Sequence, residues 1–166
     1  RASGRSVRMA LQRCRRAGPE GLAGRIHPLL RQWGGEGLND GEFRYPATIA
    51  VTPAELVFVV DVLNTRVQVF NRKGGLGFRV GEWGVLPGQF IRPKGVTVDN
   101  RGSVYVSDSY MGVIEIFNDS YRFQSVLGPA GAPLRFDSPG GIAIDNNDRL
   151  YVVEMLSNKV SVFSLR

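Results

Sequence analysis

One sentence of 26 residues is written three times in this chain, and no other feature limits its fold as strongly. The middle copy, Arg92 to Phe117, reads RPKGVTVDNRGSVYVSDSYMGVIEIF; Tyr45 to Phe70 precedes it and Ser138 to Phe163 follows it. Pro46, Pro93 and Pro139 are separated by 47 and 46 residues, and the same intervals separate Asp61, Asp108 and Glu154, and Phe70, Phe117 and Phe163. A unit of this length cannot bury its apolar face alone, so consecutive copies must stack.

Each copy alternates short β-branched and aromatic runs with turn formers, which predicts strands. Strand a is expected at 47–52, 94–98 and 140–144, and strand b at 56–60, 103–107 and 149–153. Strand c is expected at 67–70, 113–117 and 159–163, and strand d at 29–33, 77–83 and 123–127. Trp33-Gly34, Trp83-Gly84 and Leu127-Gly128 look like equivalent ends of strand d. A Gly-rich loop closing on Phe43, Phe90 or Phe136 then leads to each proline. Four short antiparallel strands per unit, with a period in the forties, predict an all-β chain of β-propeller blades. The three blades fall at about 29–75, 76–122 and 123–166.

The strand count is lopsided. The chain opens on a strand d with no a, b or c before it and closes on a strand c with no d after it. Unpaired edges invite partners, and three twisted sheets pack poorly around one axis. Two resolutions stay open. Two copies can join as a six-bladed ring, each lending residues 29–33 to the other's last blade. Otherwise the chain belongs to a longer propeller, or a different protein partner supplies the remaining blades.

Composition narrows the rest. The net charge of +6 divides unevenly: residues 1–31 hold eight arginines against Glu20, whereas residues 32–166 hold 13 basic and 14 acidic side chains. The basic excess therefore belongs to the leader, residues 1–28, read as a flexible arm. Cys14 is the single cysteine, which excludes an intrachain disulfide and a cysteine-based zinc site. No apolar run approaches the ~20 residues of a spanning helix, and residues 1–17 lack the apolar core of a signal peptide. The compartment is not indicated.

Trp83-Gly84, Gly88-Gln89-Phe90, Pro93-Lys94-Gly95 through Asp99, and Val104 through Asp108 resemble the NHL repeat in order and spacing. The first copy adds Asp61, Asn64, Arg66 and Phe70. The resemblance covers about residues 29–166, is of the simple bacterial type, and implies the propeller fold far more sharply than any activity. The second copy departs from it with Met111-Gly112-Val113 in place of Asn-x-Arg; the third has Leu127, Glu154 and Lys159.

The repeated acids Asp61, Asp108 and Glu154 are the evident candidates for a ligand or metal, and a ring would array them around its axis. At a strand end, however, a carboxylate can accept backbone N–H groups from the adjoining loop, and recurrence in each copy suggests scaffolding. Arg66 can pair with Asp61 and Lys159 with Glu154. Asp99 and Asp145 read as turn residues, and Asn146-Asn147-Asp148 offers too few acids for a calcium loop. His27 is the sole histidine, and no nucleophile elbow or phosphate loop occurs. No metal, cofactor or enzyme is therefore expected. The b–c and d–a loops leave a blade on one face, which carries Arg44, Tyr45, Arg92, Lys94, Tyr110 and Met111. That mixture suits protein contact. The leading expectation is a non-catalytic protein-interaction module within a larger assembly. Single-stranded RNA binding, which the resemblance brings with it, and a lyase or hydrolase acting in a central channel are the alternatives.

Overall fold

A computed structural model describes residues 28–165, and the leader lies outside the described residues except for Pro28. Residues 33–165 belong to one compact unit, in which eleven strands form three antiparallel sheets in simple up-and-down order. Sheet one holds β1 (Pro46–Val51), β2 (Val57–Asp61), β3 (Arg66–Phe70) and β4 (Leu76–Val80). Sheet two holds β5 (Pro93–Val98), β6 (Val104–Asp108), β7 (Val113–Phe117) and β8 (Phe123–Val126). Sheet three holds β9 (Pro139–Ile144), β10 (Arg149–Glu154) and β11 (Lys159–Ser164). These are three consecutive propeller blades, the third with three strands.

The repeated landmarks prove to be partners of one another. Pro46 pairs across the sheet with Asp61, Pro93 with Asp108 and Pro139 with Glu154. Proline has no N–H to offer a ladder, and it stands at the first residue of each strand a, where that loss is tolerated. The loop phenylalanines lie against the last phenylalanine of strand c in their own blade. Ring centroids are 5.7 Å apart for Phe43–Phe70, 5.7 Å for Phe90–Phe117 and 5.6 Å for Phe136–Phe163. The a–b turns share one device as well. Asp99 Oδ1 accepts the Arg101 and Ser103 N–H groups, Asp145 Oδ1 those of Asn147 and Arg149, and Thr52 Oγ1 that of Leu56.

Blades pack through alternate residues. Phe58, Val60, Val67 and Val69 of sheet one join Val96, Val104, Val106 and Phe117 of sheet two in one buried cluster. Tyr105 and Ile114, from the other side of sheet two, join Leu150, Val152 and Phe163 of sheet three in a second. The middle sheet is covered on both sides, so β6 is buried along its length. Alternation therefore cannot mark its inner face in the sequence.

The outer sheets each keep one open face of the same chemistry. By the 46–47 residue register, Tyr151, Val153, Val160 and Val162 correspond to Phe58, Val60, Val67 and Val69. The last three of the sheet-one set are 0–1% exposed, whereas Val153, Val160 and Val162 are 42%, 61% and 52% exposed. On sheet one, Ile49 and Val51 are 61% and 65% exposed, although the corresponding Val96 is 4% exposed. Trp33, Phe43 and Leu76 cover part of that face by packing around Phe70.

Three sequence expectations change. Residues 29–33 form no strand: 28–35 carry no regular secondary structure, and none of the three sheets includes them. A strand needs a ladder partner, and none of the described strands pairs with these residues. Second, the Trp-Gly pairs are not equivalent. The isolated bridges Glu36–Phe43 and Trp83–Phe90 place Trp83 opposite Glu36 in the repeat. Gly34 thus matches Gly81, both with positive φ and both with no room for a Cβ beside Phe43 or Phe90. Third, hydrogen bonding frames the blades at 46–80, 93–126 and 139–164, whereas the division at 29–75, 76–122 and 123–166 opens each unit on its neighbour's strand d.

Gly95 sets the distance between sheets two and three. A Cβ there would stand 2.5 Å from the Gly140 carbonyl oxygen and 2.9 Å from Ser107 Oγ. That hydroxyl accepts the Gly95 N–H at 2.8 Å and donates to the Gly140 carbonyl at 2.6 Å. Gly95→Ala must push the blades apart, and a loss of about 2 kcal/mol is expected from such overpacking; urea unfolding measures it, with Gly141→Ala, at the matching position of blade three and meeting no atom, as the control for the loss of glycine itself.

Candidate interaction surface

The loop face is built on the three repeated acids. Asp61, at the end of β2, accepts the Arg44 N–H at 2.6 Å. Asp108, at the end of β6, accepts the N–H groups of Ile91 and Arg92 on one oxygen at 2.7 and 2.9 Å. Its other oxygen accepts those of Tyr110 and Met111, both at 2.9 Å. Glu154, at the end of β10, accepts the Asp137 N–H at 3.0 Å. All three are buried. The loop that enters strand a is thus tied to the end of strand b in each blade.

The rest of each site differs. In blade one, Arg66 Nε lies 3.0 Å from Asp61, and its Nη2 donates to the carbonyls of Asn39 and Glu42. Gln68 donates to the Glu42 carbonyl and accepts the Gly41 N–H. In blade three, Lys159 stands 3.6 Å from Glu154, and Ser161 donates its hydroxyl proton to the same carboxylate. The Ser161 and Asp137 bonds hold the Glu154 carboxyl below its ordinary range. Blade two has Val113 and Glu115 where blade one has Arg66 and Gln68, so Asp108 has backbone donors in place of a guanidinium. Glu115 is 1% exposed. Burial, with the Asp108 charge adding to it, pushes its carboxyl up to about 7 against the pull of the Gly88 N–H.

Above these acids stand the six predicted surface residues, four of them exposed: Arg44, Tyr45, Arg92 and Tyr110. Lys94 Nζ lies 5.8 Å from the centre of the Tyr45 ring, which unites the first two blades in a cation–π contact. Tyr45 holds a left-handed backbone at φ 62°. Met111 is half-buried, and its carbonyl accepts a hydrogen bond from Arg135.

Sequence reasoning missed a cleft of about 510 Å³ lined by Leu38, Leu63, Arg66, Arg79 and Trp83, among others. Trp83 is 72% exposed, Leu38 66% and Leu63 58%. The available signal was a large aromatic residue at a position where the other repeats carry Glu36 and Pro129. Among the described residues no group of three or more His, Cys, Asp or Glu side chains could hold a metal, and no helix is long and apolar enough to cross a membrane.

No family model matches the chain. Part of it is similar to NHL-repeat proteins. The protein brain tumor of Drosophila melanogaster is 31% identical over 99 residues, 58% of this chain and 10% of that protein. The E3 ubiquitin-protein ligase TRIM32 of Mus musculus is 32% identical over 101 residues, 54% of this chain and 15% of that protein. The B-box type zinc finger protein ncl-1 of Caenorhabditis elegans is 35% identical over 60 residues, 36% of this chain and 7% of that protein. The chain thus spans a small fraction of the curated relatives it matches. Among solved structures, hydrazine synthase of Kuenenia stuttgartiensis aligns with a TM-score of 0.59 at 15% identity, covering 76% of this chain and 34% of that one. Virginiamycin B lyase of Staphylococcus aureus aligns with a TM-score of 0.51 at 18% identity, covering 72% and 41%. At such identities the likeness is one of fold.

Removing the Asp108 side chain would leave four N–H groups without their acceptor. Asp108→Ala is expected to cost about 4–5 kcal/mol, the low end of ~1–3 kcal/mol for each of four unpaired groups because all are only part-buried, and Asp108→Asn, which keeps one acceptor oxygen, about half of that. Chemical denaturation ranks the two variants, and equal losses would contradict the bracing geometry.

Proposed function

We propose that this chain is a non-catalytic NHL-type propeller segment that binds a protein partner through its loop face and contributes blades to a larger assembly. One observation carries the reading. The buried acids that a catalyst or metal would need are occupied by backbone N–H groups, while Arg44, Tyr45, Arg92, Tyr110 and Trp83 project from the same face into solvent. Large aromatic and arginine side chains on a rigid sheet-end platform are the residue types that dominate protein contacts. The open faces of sheets one and three support the assembly part of the reading, since they match surfaces buried between blades inside the chain. A protein partner or a second copy carrying blades of the same kind covers them.

Single-stranded RNA is the second reading. It draws on the Lys94–Tyr45 contact with Arg92 nearby in sequence, a local pairing of cation and stacking ring. The near-neutral balance of residues 32–166 counts against it. Turnover of a small ligand in a central channel has less support, because its acids are already engaged.

A photo-crosslinking residue at position 110, in the full chain expressed in its native cells, is expected to yield protein adducts that the same residue at position 147, in an a–b turn, does not. RNA adducts that vanish at high salt would favour the second reading. Separately, the mass in solution with its partner or with itself should exceed 18.2 kDa, and Val160→Asp with Val162→Asp should reduce it. A compact monomer in every preparation would sink the assembly part alone.

A further inference from the structure

At its loop end the middle blade buries two carboxyl groups, Asp108 and Glu115, with no ion pair to either among the described residues. Val106 of β6 stands opposite Glu115 of β7, and Val126 of β8 flanks it on the other side. The 86–92 loop brings the Gly88 N–H to one Glu115 oxygen at 2.9 Å. The charge of Asp108 on β6 adds to the effect of burial on Glu115. The face it shares with Val106 packs into the apolar cluster that holds Val60, Val62, Val67 and Val80 of sheet one.

Blade one shows what this position requires. Gln68, at the same register, both accepts and donates: it takes the Gly41 N–H at 2.9 Å and gives its own N–H to the Glu42 carbonyl at 2.7 Å. Gly88 matches Gly41, and the Gln89 carbonyl matches that of Glu42. An ionised Glu115 has acceptors only, whereas the neutral acid has one O–H to donate. Protonation alone makes Glu115 a copy of Gln68.

We propose that Glu115 is held in the folded blade as the neutral acid, an imitation of Gln68, and that its ionisation loosens the 86–92 loop and with it the part of the loop face that carries Arg92. Asp108 reinforces the effect, since the second negative charge would arise beside the first in a buried site. The consequence for partner binding rests on the function proposed above; the device itself does not.

The sign follows from linkage. The folded carboxyl titrates above the ordinary value of 4.5, so below about 4.5 its contribution to stability is complete. As pH rises towards about 7 that contribution is lost, because the unfolded chain ionises first. Glu154 and Asp145, both held below the ordinary carboxylate range by their hydrogen bonds, act in the opposite sense and at lower pH.

The test uses the full chain without any partner. The side-chain carboxyl signal of Glu115, followed by carbon NMR, should titrate near neutrality. Amide exchange of Gly88, Ile91 and Arg92, corrected for its intrinsic pH dependence, should quicken about tenfold or more between pH 5 and 8, as expected when a buried acid ionises. Glu115→Gln should abolish that change and melt above the parent chain at pH 8. A Glu115 midpoint in the ordinary carboxylate range, or the same pH profile in both proteins, would overturn the proposal. Loss of partner binding with these results intact would bear only on the functional reading.

Discussion

A buried carboxylate at the end of strand b holds the loop that enters strand a, and the loop face depends on that bond. Asp61 reaches Arg44, Asp108 reaches Ile91, and Glu154 reaches Asp137, each across 17 residues of sequence. A charged acceptor makes a stronger bond to backbone N–H than a neutral one, and burial raises the cost of leaving either side unmet. The neighbouring proline supplies no donor, so the ladder opens where the acid takes over. The phenylalanine pair below then packs the loop onto its own sheet, a contact worth about 0.5–1.5 kcal/mol beyond the area it buries. Polar brace and aromatic anchor together hold an irregular segment that lacks a ladder of its own.

The blades were legible from the sequence because their determinants are local and repeated. Prolines at strand starts, Asx turns between strands a and b, and β-branched runs each act over a few residues, and three copies let their positions check one another. The strand limits come out within a few residues of expectation. What went astray required geometry. Trp33 and Trp83 look like one landmark twice, yet the quantity that repeats is the positive φ of Gly34 and Gly81 beneath a phenylalanine ring. Residues 29–33 have the composition of a strand, but composition carries no information about whether a partner strand lies alongside.

Candidate residues were legible to a different degree. Arg44, Tyr45, Arg92 and Tyr110 follow from topology, since an up-and-down blade sends the b–c and d–a loops to one end. Gln68 and Glu115 do not follow from any pattern. Between flanking apolar residues they read as the outward half of an alternating strand, whereas both are buried. Their role appears only when the carbonyls and N–H groups of the neighbouring loop are placed around them. Trp83 differs in another way: it reads as the end of strand d, and here its ring lines a cleft.

The brace also bears on how copies of a duplicated unit drift apart. Most donors to Asp108 are main-chain groups, which no substitution can delete, so the acid has a standing set of partners whatever the surrounding side chains become. Around it one blade has arginine and glutamine, another has valine and glutamate, and the third has lysine and serine. The chain records three separate answers to one packing problem, with the entering loop tied to the strand-b acid in each. A unit whose main contact is side chain to backbone can diversify its rim without relearning its fold.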